Sequence, residues 1–216
     1  MCLGIRCFLS DLNTRWDDYN SAPPSRLEAF VWSTNRDSED KEFDLWKASG
    51  SLSSTGFDLH EAPQPLTRLA SSGNEFGPTY AAHARRGSSV GTYRPAPIVF
   101  ASDRAGGAGK LDLYLATEKS ILSLKHLNSA ANDSYWCAFR HHDPCNSVGR
   151  PSAAYFASDR GGDYDIYEVR WTEGKRGGFD LYVAKWNAAE SKWGTPKNPG
   201  RRYNMKHNEF RLALRH

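Results

Sequence analysis

Several features are scarce in this chain, and each absence narrows its reading. No stretch of the 216 residues reaches the roughly eighteen consecutive apolar residues of a membrane-spanning helix, so no membrane span is expected. Neither charge sign dominates. Lys and Arg total 28 against 25 Asp and Glu, a formal charge of +3 with the signs interspersed. A nucleic-acid binder would concentrate basic residues on one face or stripe, so none is expected as a partner. Cysteine is sparse: Cys2, Cys7, Cys137 and Cys145 are too few for a disulfide scaffold at this length. Cys137 and Cys145 are near enough in sequence to bridge one loop, with free thiols as the alternative. Long amphipathic patterns are missing too, and only residues 22–30 and 118–127 suggest short helices. The N-terminus is briefly apolar, but Arg6 and the early Asp11 do not make a visible secretory leader. No G-x-S-x-G elbow, H-E-x-x-H pair or G-K-[ST] phosphate loop occurs. No catalytic residue, cofactor or metal ligand is therefore nominated.

The chain is rich in turn residues and aromatics: 18 Gly and 11 Pro beside 7 Trp, 10 Tyr and 10 Phe. That balance favours short strands joined by tight connections. Three apolar strands stand out, at Ala29 to Ser33, Pro97 to Ala101 and Ala154 to Ala157. Each runs into nearly the same polar turn and second strand. Thr34-Asn35-Arg36 leads to Asp44-Leu45-Trp46. Ser102-Asp103-Arg104 leads to Asp112-Leu113-Tyr114. Ser158-Asp159-Arg160 leads to Asp165-Ile166-Tyr167. A fourth, partial copy contains Asp180-Leu181-Tyr182. The gap from Arg to the next Asp is 8 residues in the first two copies and 5 in the third, a variation that an exposed hairpin loop tolerates.

A second element recurs between the hairpins. Asn74-Glu75-Phe76-Gly77-Pro78 precedes the second, and Asn132-Asp133-Ser134-Tyr135-Trp136 precedes the third. Asn208-Glu209-Phe210 lies near the C-terminus, and Asp17-Asp18 is a decayed copy before the first. A repeated strand–turn–strand unit cannot bury its own sheet, so copies must stack. At about 40–50 residues per blade, the expected fold is all-β, a small β-propeller of four or five blades with an irregular or partial closing blade. The whole of 1–216 is read as one domain, with hairpins near 29–48, 97–116, 153–169 and 175–186. A β-sandwich accounts for the strands but not for their recurrence.

The strand, Ser-Asp-Arg, glycine-rich turn and Asp-apolar-Tyr strand resemble the WD40-like (PD40) repeat of TolB-type propellers. The copies at 102–114 and 158–167 match closely. The first departs, with Asn35 in place of Asp and Trp46 in place of Tyr. The segment Trp193, Pro196, Gly200, Asn204, Glu209 is similar to an envelope-protein version of the repeat. The family's Pro-Asp-Gly hairpin before the inner strand is poorly kept. The resemblance implies a bacterial periplasmic or cell-envelope setting, and a cytoplasmic one stays open without a visible leader.

Residues repeated once per unit are read as structural: Asp103, Arg104, Asp112, Tyr114, Asp159, Arg160, Asp165, Tyr167, Asp180 and Tyr182. Asp103 and Asp159 are expected to accept backbone N–H bonds at their turns. Arg104 and Arg160 are expected to pair with a carboxylate of a neighbouring blade. The non-repeated run from Trp136 to Cys145 is the chemically richest, and Trp136, Arg140, His141 and His142 are the candidate ligand contacts. The expected function is a non-enzymatic binding scaffold with a protein or peptide partner, or a glycan. The alternative is a hydrolase, or an accessory propeller of a hydrolase, acting on glycans or peptides.

Overall fold

The computed structural model describes residues 12–22, 29–38, 41–53, 56–81, 85–86, 93–94, 96–139, 153–174, 178–187, 189–190, 192–195 and 197. Every regular element among them is a β-strand. In chain order these are β1 (Asp18–Ala22), β2 (Phe30–Thr34), β3 (Asp44–Ala48), β4 (Gly50–Ser53), β5 (Gly56–Leu59) and β6 (Gln64–Pro65). Then come β7 (Glu75–Tyr80), β8 (Arg85–Arg86), β9 (Tyr93–Arg94), β10 (Ile98–Ser102), β11 (Asp112–Ala116) and β12 (Ile121–Ser123). The last five are β13 (Asp133–Phe139), β14 (Ala153–Ser158), β15 (Asp165–Gly174), β16 (Gly178–Asn187) and β17 (Lys192–Trp193).

Three antiparallel sheets carry the architecture. Sheet I runs β1-β2-β3-β6, sheet II runs β7-β10-β11-β12, and sheet III runs β13-β14-β15-β16-β17. The ribbons β4-β5 and β8-β9 lie outside them. Each repeated hairpin forms the middle of one sheet. Its register pairs the aromatic of the first strand with that of the second: Trp32 with Trp46, Phe100 with Tyr114, Phe156 with Tyr167. The segment read as a fourth copy founds no new unit, because β16 pairs with β15 along its length and extends sheet III. Residues 118–127, read as a short helix, instead supply edge strand β12 and a turn. Its three consecutive strand residues return the chain to β11, whose backbone groups they satisfy.

Burial follows from strand alternation. Val99, Ala101, Leu113 and Leu115 of sheet II share one core cluster with Ala154, Phe156, Tyr167 and Val169 of sheet III. On the opposite face of sheet II, Phe100, Tyr114 and Ala116 cluster with Leu45 of sheet I. Sheet II is thus the middle layer. That is why all of β11, and β10 from Val99 onward, are buried despite carrying Ser102 and Asp112. A side chain such as Phe156 contributes about 1.5–3 kcal/mol by leaving water. Backbone bonds tie the layers as well: Glu75 N–H donates to Phe43 O at 2.7 Å, and Asp133 N–H to Leu111 O at 2.7 Å.

The two closely similar hairpins therefore do bury one another, but not around a closed ring. The three sheets have open strand orders, and no described strand links the last sheet back to the first. The expected propeller of four or five blades, and with it the assignment to the WD40-like, TolB-type repeat, is overturned. The physical reason is that the recurring residues specify a hairpin and its packing on the next sheet. Closure depends on the number of sheets and the rotation between them, which no local motif encodes.

Candidate functional site

The repeated polar residues build the frame around the site. Each unit places one arginine in the turn that follows β2, β10 or β14, the second strand of its sheet. The Arg104 backbone N–H and Nε both donate to Ser102 Oγ (3.2 and 3.1 Å), and Nη2 donates to Leu69 O at 2.6 Å and Glu75 Oε1 at 3.0 Å. Its guanidinium lies 5.0 Å from the Phe100 and Tyr114 ring centroids. Arg160 repeats this with Ser158, Leu127 O and Asp133, over Phe156 and Tyr167. Arg36 does so with Thr34, Leu12 O and Asp18, over Trp32 and Trp46. Each carboxylate stands on the first strand of the arginine's own sheet, not on a neighbouring one as expected. The reason is the meander: the first strand lies beside the second, so the strand starting at Asp18, Glu75 or Asp133 reaches the turn that holds the arginine.

This half of the arrangement has a signature outside the hairpin motifs. Leu12, Thr14 and Asp18 recur as Leu69, Ser71 and Glu75, and as Leu127, Ser129 and Asp133, at constant spacing. The leucine carbonyl and the carboxylate receive the arginine, while the hydroxyl residue bonds the same carboxylate: Ser71 Oγ to Glu75 Oε1 at 2.6 Å, Ser129 Oγ to Asp133 Oδ2 at 2.9 Å. Spacing of an apolar, a hydroxyl and an acidic residue was the available signal.

Asp103 accepts from Asn74 N–H at 2.6 Å and Asn74 Nδ2 at 2.9 Å, and Asp159 accepts from the same two groups of Asn132 at 2.6 and 2.7 Å. In sheet I the residue types are exchanged, with Asp17 N–H donating to Asn35 Oδ1 at 3.0 Å. Asp112 is buried, and its Oδ2 accepts from the N–H groups of Ala108 and Gly109, holding the glycine-rich turn. Asp165 is half-buried at the start of β15, and Asp180 and Tyr182 lie on β16 opposite Thr172 and Arg170.

Of the candidate ligand contacts, Trp136 is buried in the core cluster between sheets II and III and presents no surface to a ligand. Strand alternation turns it inward from β13. Arg140, His141 and His142 lie outside the described residues, as does Cys145. Cys137 is a free, exposed thiol.

The residue beside Trp136 is the one on display. Tyr135 is 56% exposed and has a φ of 55°, the left-handed region. It sits in a β-bulge, where the β13–β14 register shifts between Ser134 and Cys137. Sheet II carries the same bulge with Gly77 at the same position, φ 56°. A tyrosine there costs about 1–2 kcal/mol that glycine does not. Tyr164 (55% exposed) directly precedes β15 and Ile166 (51% exposed) is its second residue, at the end of sheet III where Ser134 pairs with Ala157 and Ala157 with Ile166. The Tyr164 hydroxyl is pushed to higher pKa, by partial burial first and then by the negative field of Asp159, with Tyr135 and Asp133 adding to it. Asp159 itself is held below the usual carboxylate range by the Asn132 side-chain and backbone hydrogen bonds, against slight burial, with Lys110 contributing. The result is two exposed rings and an exposed isoleucine, with the Asp159 charge acting on Tyr164. Among the described residues no group of three His, Cys, Asp or Glu side chains is placed to hold a metal.

No family model, curated protein or solved structure matches the chain.

Proposed function

We propose that this protein is a non-enzymatic binding scaffold whose stacked sheets display Tyr135, Tyr164 and Ile166 to a partner. One observation carries the reading: a large aromatic stands more than half exposed at a left-handed bulge that the sister sheet fills with Gly77. Strained backbone persists where surrounding structure holds it, and it concentrates at functional positions. Exposed tyrosine offers a rigid contact surface at low entropic cost, a property that binding surfaces exploit. The Arg160–Asp133 arrangement holds the turn beside this patch, so the rings are presented from a rigid frame. The partner class is protein or peptide, with glycan as the other arm of the test.

The test is an array carrying both peptides and glycans, probed with the whole chain and with Tyr135→Gly and Tyr164→Ser. Hits of the unaltered protein are expected to be lost or weakened about tenfold in both variants, while their melting temperatures stay close to its own. Hits that survive both substitutions unchanged would place recognition elsewhere and defeat the proposal.

A further inference from the structure

We infer that the Tyr135–Tyr164 patch takes the lysine or arginine side chain of a basic peptide. The inference rests on the binding reading above and names the chemistry of the partner. Aromatic faces attract cations through the negative charge above the ring. Here two rings stand exposed at one end of sheet III, where Ser134 pairs with Ala157 and Ala157 with Ile166, and the exposed Asp163 precedes Tyr164. Ile166, exposed on β15 two residues beyond Tyr164, gives an apolar flank for the methylene stem of a long cationic side chain.

The competing occupants fit less well. An acidic ligand meets like charge. A neutral sugar gains nothing from a negative field, and both oxygens of Asp159 already accept from Asn132, leaving it a source of field more than of free hydrogen bonds. Arg160, next to Asp159 in the chain, is held by Asp133 and Leu127 O beside its own aromatic pair, so its charge is already matched. Lys110 is the cation whose field reaches Asp159. The chain as a whole carries +3, so overall charge does not draw a basic peptide, and attraction must come from this patch.

The experiment uses fluorescein-labelled nonapeptides of Gly, Ser and Ala with a central Lys-Arg pair, matched peptides carrying norleucine or Glu there, and the neutral oligosaccharide chitotetraose. Affinities are read by anisotropy, and by competition for the sugar, on the whole chain. The Lys-Arg peptide is expected to bind about tenfold more tightly than its norleucine counterpart. Tyr135→Gly should remove that preference. Asp163→Asn should weaken it about threefold, Lys110→Glu should strengthen it, and raising salt should weaken it. Equal binding of the Lys-Arg and norleucine peptides overturns the inference, as does no binding of the Lys-Arg peptide. If the sugar or an uncharged peptide binds and Tyr135→Gly abolishes it, the patch remains a recognition surface and only the cationic partner is wrong. If no probe responds to Tyr135→Gly, both readings fall. Thermal melts of each variant separate a lost contact from a lost fold.

Discussion

Gly77 and Tyr135 occupy the same bulge of neighbouring sheets at φ of 56° and 55°, and a Cβ built on Gly77 would stand 3.9 Å from Tyr135 Cδ1. The space around Gly77 is open enough that Gly77→Ala meets no clash. Its cost is conformational, about 1 kcal/mol. Tyr135→Gly runs the other way. It relieves about 1–2 kcal/mol of left-handed strain and gives back about 0.5–1 kcal/mol through the freer unfolded chain. The net expectation is a gain of about 0.5 kcal/mol, read as a raised urea midpoint at unchanged slope. A loss above about 1 kcal/mol would mean that Tyr135 is kept for packing instead of display.

Arg104 faces a carboxylate, Glu75, that is 0% exposed. Arg104→Ala leaves Glu75 buried without its cationic partner, and the expected loss of stability is about 3 kcal/mol. Arg104→Lys should recover only part of it, because a point charge cannot serve Ser102, Leu69 O and Glu75 together across two rings. Arg36→Ala should cost less, since Asp18 keeps both Thr14 bonds and the Trp32 Nε1 contact. Urea unfolding of the singles and of Arg104→Ala with Glu75→Gln gives the coupling. The double variant should lose less than the two singles added.

Trp136 is a structural residue in this fold, so Trp136→Ala should cost about 3–5 kcal/mol by opening a cavity between sheets II and III. Trp136→Phe should cost less and should leave any Tyr135-dependent binding intact. If binding follows Trp136 in a variant that remains folded, the displayed surface has been misplaced by one residue.

The legible part of this molecule is local. The Ser-Asp-Arg turns and the Asp-apolar-aromatic strands could be read because the same packing problem is solved with nearly the same letters at 102–114 and 158–167. The second half of each arginine arrangement was hidden by chemistry that accepts substitutes: Thr or Ser, Asp or Glu, and a leucine whose carbonyl matters more than its side chain. Sheet I exchanged Asp and Asn between positions 17 and 35 and kept the backbone bond, which disguised its first copy. The display of Tyr135 was within reach. Aligning Asn74-Glu75-Phe76-Gly77 with Asn132-Asp133-Ser134-Tyr135 puts a tyrosine where a glycine stands, though only the bulge shows that the position is left-handed. Ring closure was not legible, because stacking one sheet on the next requires nothing of the sheet after that.

Asp44 and Glu75 bring two carboxyl groups together at the junction of sheets I and II, and they should make stability fall as pH rises. Both have raised pKa values, by burial first. Asp44 is raised further by Asp37 and Glu42, and Glu75 by Asp44, while hydrogen bonds and Arg104 pull the other way. Glu75 Oε2 is buried with no N–H or hydroxyl donor, so a proton held between the two groups is its natural partner. The folded state thus binds a proton more tightly than the unfolded chain does. Its contribution is complete below the ordinary carboxylate range, near about pH 4, and is lost as pH rises through the raised values. Asp18 has the opposite sign. Burial alone would raise it, but hydrogen bonds from Thr34, Arg36 and Thr14 outweigh burial and lower it, so its contribution is present above about pH 4 and lost on acidification. Asp44→Asn separates the two. It should shrink the decline above the ordinary carboxylate range, because one raised group is gone and the amide can donate to Glu75, while the part due to burial of Glu75 itself persists and the acid limb stays in place. Urea midpoints from about pH 3 to 8 give the answer. A decline of unchanged size in Asp44→Asn would show that the two carboxyl groups do not share a proton.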